Sequence, residues 1–267
     1  MPREVTAFSN ATVKRLRSLR DKKTRKEEGL FLAEGLRIIA EARDSGQLPE
    51  ILMFSGEGAR HPLAAEIIAA TEAAGGDTIE TTPDILSKTS GKDNPQMLVA
   101  AYRQPGTSLA AIDRNAAPIW FVAQSLRDPG NIGTILRTGD AVAAGGLILI
   151  DDSADPYSVE AVRASMGATF TQQVAKASWD EFLPWLRSGP GQLVGTSLNS
   201  DHDYLGVDYA NPCFLLIGNE QQGLPQSYEE ACDVLVKIPM AGRADSLNAA
   251  IATAVMAFQV RASWRNP

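Results

Sequence analysis

A two-domain α/β protein, with a parallel sheet in its C-terminal half, is what this sequence predicts. Three observations carry that expectation. Short apolar runs alternate with helical patterns from residue 28 onward. The runs of the C-terminal half, such as 119–123 and 213–217, are apolar without interruption, as strands covered on both faces must be. Between the halves, residues 104–117 are rich in turn formers and poor in bulky apolar side chains, which marks a linker. The expected division is a first domain over 1–103, a linker over 104–117 and a second domain over 118–267.

Composition bounds what the two domains can be. A chain of 267 residues with 44% hydrophobic content is long and apolar enough for two cores. No apolar run approaches a membrane span, and the start, Met-Pro-Arg-Glu-Val, has no apolar signal core, so a cytoplasmic protein is expected. Cys213 and Cys232 sit near apolar strand residues and read as reduced core residues, with no zinc site. Net charge is −7, against a generic nucleic-acid binder. Residues 1–26, however, hold Arg3, Lys14, Arg15, Arg17, Arg20, Lys22, Lys23, Arg25 and Lys26 against only Glu4 and Asp21. A basic arm on an acidic body fits phosphate contacts gathered at one end; a solvated charged helix is the alternative.

In chain order, residues 28–42 read as a short strand, a turn at Glu34-Gly35 and a helix with Leu36, Ile39 and Ala40 inward. Strands follow at 51–54 and 97–102, and helices at 62–74 and 84–89. In the second domain, strands are expected at 119–123, 147–150, 173–175, 192–196, 213–217 and 234–238. Helices are expected at 131–144, 158–166, 179–186 and 225–231. A closing helix over 247–262 places Leu247, Ala250, Ile251, Ala254, Val255 and Phe258 on one buried face.

Three polar turns follow apolar strands: Asp128-Pro-Gly-Asn-Ile-Gly, Gly218-Asn-Glu-Gln-Gln-Gly-Leu-Pro225 and Pro239-Met-Ala-Gly-Arg-Ala-Asp-Ser-Leu-Asn248. Open α/β sheets bind ligands at such strand ends. Familiar chemistries are excluded in turn. No Gly-x-Gly-x-x-Gly follows a strand, and Leu224-Pro225 stands where a phosphate loop needs Lys-Ser/Thr. The two histidines, His61 and His202, come without a Gly-x-Ser-x-Gly elbow. The acidic pairs Asp151-Asp152 and Asp201/Asp203 read as solvated turns rather than metal ligands. What remains, Asn, Glu, Ser and backbone groups plus Arg137, suits a neutral or cationic group-transfer cofactor better than a polyphosphate.

Those residues carry a resemblance. Asp128-Pro-Gly-Asn-Ile-Gly-Thr-Ile-Leu-Arg-Thr138 resembles motif 1 of the SpoU (TrmH-like) branch of the SPOUT RNA methyltransferases. Leu216–Pro225 and Ile238–Asn248 resemble motifs 2 and 3, with Arg163-Ala-Ser-Met-Gly-Ala168 and Gly195-Thr196 between them in the family's order. Val13–Arg20 and Glu28–Glu41 are similar to the family's RNA-substrate-binding domain, itself similar to ribosomal protein L30e. The resemblance implies a C-terminal trefoil-knotted parallel-sheet SPOUT domain behind a small L30e-like α/β domain. It also implies homodimerisation through the C-terminal region. The implied activity is transfer of a methyl group from S-adenosylmethionine to a ribose 2′-hydroxyl of structured RNA, ribosomal RNA favoured over transfer RNA. A nonenzymatic RNA-binding protein that kept the fold is the rival; it would need losses at Asn131, Arg137, Glu220 or Asn248, and none is present. The usual Phe-Gly at the end of the motif 1 helix is replaced by Val142-Ala143.

Residue roles follow from the resemblance. Asn131, Arg137, Glu220, Ser246 and Asn248 are the implied catalytic and substrate-contacting set. Thr196, Leu198, Gly218, Ile238 and Leu247 are the implied cofactor contacts, and no metal is implied. Because a guanidinium stays protonated, Arg137 is expected to clamp phosphate and stabilise a developing alkoxide, with the base left open. Without the resemblance, Asn131 and Ser246 each read equally as helix caps.

Overall fold

The computed structural model describes residues 2–91 and 96–264, and the chain forms two compact units. The first comprises Met1–Pro105 and Tyr157–Thr171, the second Gly106–Pro156 and Gln172–Pro267.

In the first unit the elements are β1 (Arg3–Val5), α1 (Ala11–Ser18), α2 (Lys22–Glu28), β2 (Leu30–Glu34), α3 (Leu36–Asp44) and β3 (Ile51–Ser55), then α4 (Pro62–Ala73), β4 (Asp77–Thr81), α5 (Pro83–Ser90) and β5 (Leu98–Arg103). They make a mixed sheet in the order β1-β4-β3-β5-β2, parallel except where β5 pairs with β3 and β2. Each of β2, β3 and β5 divides its side chains between two cores. Phe31, Leu52, Phe54 and Tyr102 face one, and Leu30, Leu32, Met53 and Val99 face the other. Burial on both faces is why the alternation was invisible as hydropathy.

The basic N-terminus is no detached arm. Val13, Leu16 and Leu19 are buried in the second of these cores, and Asn10 and Asp21 cap α1 and α2. Arg25 is buried and donates to the carbonyls of Leu19 and Arg20. Arg3 pairs with Asp77 (2.5 Å) and Arg15 with Glu28 (2.7 Å). Lys14, Arg17, Lys22 and Lys26 stay exposed.

A second difference concerns α7 (Val159–Ser165), expected in the C-terminal domain. It belongs to the first unit, where Tyr157, Val162 and Phe170 join the Phe31 core. Phe31 and Tyr157 ring centroids lie 5.2 Å apart, Tyr102 and Phe170 4.6 Å. Arg163 Nε donates to the buried Glu34 carboxylate at 3.1 Å.

The second unit contains β6 (Ile119–Gln124), α6 (Pro129–Val142), β7 (Gly146–Ile150), β8 (Gln173–Ala177), α8 (Trp179–Arg187) and β9 (Gln192–Thr196). β10 (Cys213–Ile217), α9 (Gln226–Glu230), β11 (Val234–Val236) and α10 (Ala249–Ser263) follow. The six strands are all parallel, in the order β11-β9-β10-β6-β7-β8. One face packs Trp120, Val122, Ile148, Phe182, Leu193 and Phe214 beneath α8. On the other, α6 lies on β6 and β7, and α10 on α6 and β10. From β6 the chain winds outward through β7 and β8, then returns to build β9 and β10 on β6's other side. The switch between β6 and β10 places two strand ends, with their loops, side by side.

Three finer expectations need correction. Residues 106–117, read as linker, are fastened to this unit: Arg114 donates to the carbonyls of Trp185 (2.5 Å) and Leu186 (2.8 Å) and lies over the Trp185 ring. The buried face of α10 is Ala249, Ala250, Thr253, Met256, Ala257 and Val260, whereas Ile251 and Phe258 are 53% and 55% exposed. A helix apolar nearly all round has two eligible faces, and the one with smaller residues packs on α6. The motif 1 helix ends at Val142, with Ala143 in the left-handed region (φ 53°) that glycine would occupy more easily. Both cysteines are free, and burial pushes the Cys213 thiol up to about 12. Among the described residues no helix is long and apolar enough to cross a membrane, and no group of three or more His, Cys, Asp or Glu could hold a metal ion.

Candidate active site

The β6–α6 turn begins with Ser125 in the left-handed region (φ 47°). Asp128 caps α6, its Oδ1 accepting from the Gly130 N–H at 2.7 Å, with Pro129 pre-set at the first helical position. Asn131 is therefore not the cap. It lies in the first turn, 7% exposed, with its amide free to make other bonds.

Those bonds tie three loops together. Asn131 Nδ2 donates to Glu220 Oε1 at 3.1 Å, and Asn131 Oδ1 accepts from Asn248 Nδ2 at 2.9 Å. Asn248 in turn caps α10, its Oδ1 accepting from the Ala250 and Ile251 N–H groups, so the cap is Asn248 and not Ser246. Glu220 accepts further from the backbone N–H groups of Arg127 and Asp128, both at 3.3 Å. Burial alone would raise this carboxyl; its own backbone N–H, Asn131 and the two backbone donors together hold it below the usual carboxylate range.

The loop bearing Glu220 is fixed from within. Asn219 Oδ1 accepts from the N–H groups of Gln221 and Gln222, while its Nδ2 donates to the Ser125 carbonyl at 2.8 Å. Asn219 and Gly223 exchange backbone hydrogen bonds, closing the turn, and Gly223 has φ 68°. At Gly218 a Cβ would overlap the backbone of Gly223 and Leu224, so only glycine fits.

Two cavities flank this loop, and residues 219–224 line both. The first, ≈ 330 Å³, opens at the ends of β9, β10 and β11 and the start of α10. Thr196, Leu198, Gly218, Ile238 and Leu247 all line it, with Ser246. Leu198, Ile238, Met240 and Leu247 supply apolar wall, and Glu229 and Lys237 supply opposite charges. A ligand with an aromatic part and a zwitterionic part matches such walls. The second cavity, ≈ 680 Å³, is lined by Asn131, Glu220 and Asn248 together with Arg127 and Asp128. Arg137 is brought to neither: it is exposed, further along α6, and no described residue bonds its guanidinium. One participant escaped the sequence reading: Arg127 was passed over although it immediately precedes the Asp-Pro-Gly-Asn turn.

Residues 118–258 match the SpoU rRNA Methylase family, and residues 10–100 the MRM3-like substrate binding domain. The chain belongs to the SpoU rRNA methylase family. The SpoU match runs through Tyr157–Thr171, the stretch packed into the first unit. One relative is the 23S rRNA (uridine(2479)-2′-O)-methyltransferase of Streptomyces viridochromogenes, 35% identical over 91% of this chain and 85% of that protein. Another is a 23S rRNA (guanosine(2553)-2′-O)-methyltransferase of Bacillus subtilis, 27% identical over 97% and 99%. The crystal structure of an AdoMet-bound rRNA methyltransferase from Sinorhizobium meliloti superposes with a TM-score of 0.90 at 40% identity, covering 97% of each chain. The parallel α/β fold of this SpoU chain is thus that of solved SPOUT methyltransferases.

Proposed function

We propose that this SpoU-family chain transfers the methyl group of S-adenosylmethionine to a ribose 2′-hydroxyl of structured RNA, ribosomal RNA ahead of transfer RNA. One observation carries the reading: two cavities share the 219–224 loop as a wall, and Asn131, Glu220 and Asn248 are bonded together beside it. The first cavity takes the cofactor and the second the target nucleotide. When bound, the cofactor supplies an electrophilic methyl group on a sulfonium.

The chain's own residues supply position. Gly218 lets the loop turn close to the first cavity, whose apolar wall is formed by Leu198, Ile238 and Leu247. Glu220 is no free base, because its oxygens already accept from Arg127, Asp128 and Asn131 and its carboxyl is held ionised. It orients the Asn131 amide instead. That leaves Asn131 Oδ1 with one unused lone pair, able to accept a hydrogen bond from the intact ribose 2′-hydroxyl and so orient its oxygen. Holding the reacting oxygen in place beforehand removes the entropy of orienting it from the barrier.

Arg137 keeps the phosphate-clamping and alkoxide-stabilising role implied by its motif. Outside both cavities of its own chain, it reaches a reacting nucleotide through a homodimer formed on the C-terminal region. Exposed Ile251 and Phe258 on α10 support such an interface, as does the ≈ 200 Å³ groove lined by Val142, Phe258 and Arg261. The same reading includes a trefoil knot in 118–267, an L30e-like RNA-substrate-binding domain over 1–103 and a cytoplasmic location. Labelled-methyl transfer from S-adenosylmethionine to unmodified ribosomal RNA, followed by alkaline hydrolysis, tests it. Alkali-resistant dinucleotides carrying the label are expected; label released on single nucleotides means base methylation and defeats the proposal.

A further inference from the structure

The second cavity must hold a nucleotide with its phosphodiester, yet its polar lining is mostly neutral or acidic. Among the described residues that line it, Arg127 is the one cation, beside the carboxylates of Asp128 and Glu220. Each carboxylate already accepts from the loop around it. Asp128 Oδ1 caps α6 through the Gly130 N–H at 2.7 Å, and Glu220 accepts from Asn131 and two backbone N–H groups. Neither answers the guanidinium. Its Nη1 lies instead 2.6 Å from Asp152 Oδ2, in the turn after β7, with side chains 62% and 79% exposed. An ion pair so open to water contributes little and is readily exchanged for another anion.

Resting on the methyltransferase reading, we propose that Arg127 is the phosphate-binding residue that the nucleotide cavity's own chain supplies. Asp152 holds it in place until an RNA phosphodiester displaces the carboxylate. A phosphodiester offers the guanidinium two acceptor oxygens in the planar, bidentate geometry that suits it best. Backbone and side chain of Arg127 then have separate duties. The N–H holds Glu220, and so the loop shared with the cofactor cavity, whereas the guanidinium holds substrate. A substitution of the side chain removes only the second. Arg127 is thereby distinct from Arg137, which lines neither cavity of its own chain.

The test uses the full-length protein and an unmodified 23S rRNA transcript, with binding measured by filter retention across about 50–200 mM salt. Arg127→Ala should weaken RNA binding about tenfold, the loss of one charge-assisted hydrogen-bonded contact. It should also reduce the slope of log K against log salt by about 0.7–0.9. Arg127→Lys should restore the slope but not the full affinity. Asp152→Asn, which frees the guanidinium, should tighten binding about two- to fivefold. A merely structural role for the pair predicts the opposite sign for Asp152→Asn. Affinity and slope unchanged in Arg127→Ala, or weaker binding in Asp152→Asn, overturns the proposal. Thermal melts and cofactor titration check folding; should Arg127→Ala not fold, Arg127→Lys and Asp152→Asn still decide. Because binding requires no turnover, a wild-type protein that binds the transcript but methylates no ribose refutes the activity without touching this assignment.

Discussion

Replacing Glu220 with glutamine changes one atom and the charge, and the bonds around it set the consequence. The carboxylate accepts from Arg127 N, Asp128 N, Asn131 Nδ2 and, at 3.5 Å, Asn219 Nδ2. A glutamine has one acceptor oxygen, so its amide nitrogen must face at least one of these donors. A charge-assisted bond contributes about 1.5–3 kcal/mol and a neutral one about 0.5–1.5 kcal/mol. The 3.3 Å distances and the exposure of the side chain favour the low end, about 1.5–2.5 kcal/mol for the exchange. If that cost falls on the placement of Asn131, kcat/KM for methyl transfer should drop about 10- to 70-fold, at about 1.4 kcal/mol per factor of ten. Steady-state rates on the RNA substrate measure it, with calorimetry of cofactor binding as control. The native carboxyl is held low, so its contribution to site order is complete above the ordinary glutamate value of 4.5 and is lost as pH falls through the lowered native value. No ionisation of Glu220 should therefore shape the rate profile between about pH 6 and 9. Rates within threefold of wild type in Glu220→Gln would mean an ordinary turn carboxylate, and the positioning role would be wrong.

Further outcomes follow from packing. Gly218→Ala should lower cofactor affinity at least about tenfold, since the added methyl overlaps backbone that cannot move without opening the turn; unchanged calorimetric affinity would place the cofactor elsewhere. Deleting residues 1–26 should unfold the first unit rather than merely weaken RNA binding. Val13, Leu16 and Leu19 are each about 1.5–3 kcal/mol of burial, together comparable with a domain's whole stability of about 5–15 kcal/mol. Neutralising exposed Lys14, Arg17, Lys22 and Lys26 together should instead leave the melt near wild type and flatten the salt dependence of RNA binding; an unaltered slope would make them only a solvated face. Arg114→Ala should lower the melting temperature, at a cost of about 2–3 kcal/mol, by leaving the Trp185 and Leu186 carbonyls at the end of α8 without their charged donor.

What could be read in the sequence was what a single segment decides for itself. The strands 119–123, 192–196 and 213–217 announce burial on two faces, and the loops after them carry the residues that line the two cavities. What escaped depends on partners. Nine cations obscured the Val13, Leu16, Leu19 spacing that folds the N-terminus into a core. β1 and β4 are short and half polar, as sheet elements near an edge can be. Tyr157, Val162 and Phe170 are apolar in either unit, and only the aromatic cluster around Phe31 claims them. The two apolar faces of α10 cannot be ranked without α6 beside it. Nor could spacing show that Asn248 is both helix cap and partner of Asn131, since the two lie 117 residues apart in the chain.

Everything proposed for the two cavities requires that the methyl group go to a ribose oxygen of RNA. Mapping 2′-O-methyl positions across total RNA from cells with and without the gene, alongside cells carrying Asn131→Ala, tests it most directly. One ribose mark, in ribosomal RNA, is expected, and it should be lost in both the deletion and the variant. A mark on a base, or a ribose mark that survives Asn131→Ala at full level, would contradict it.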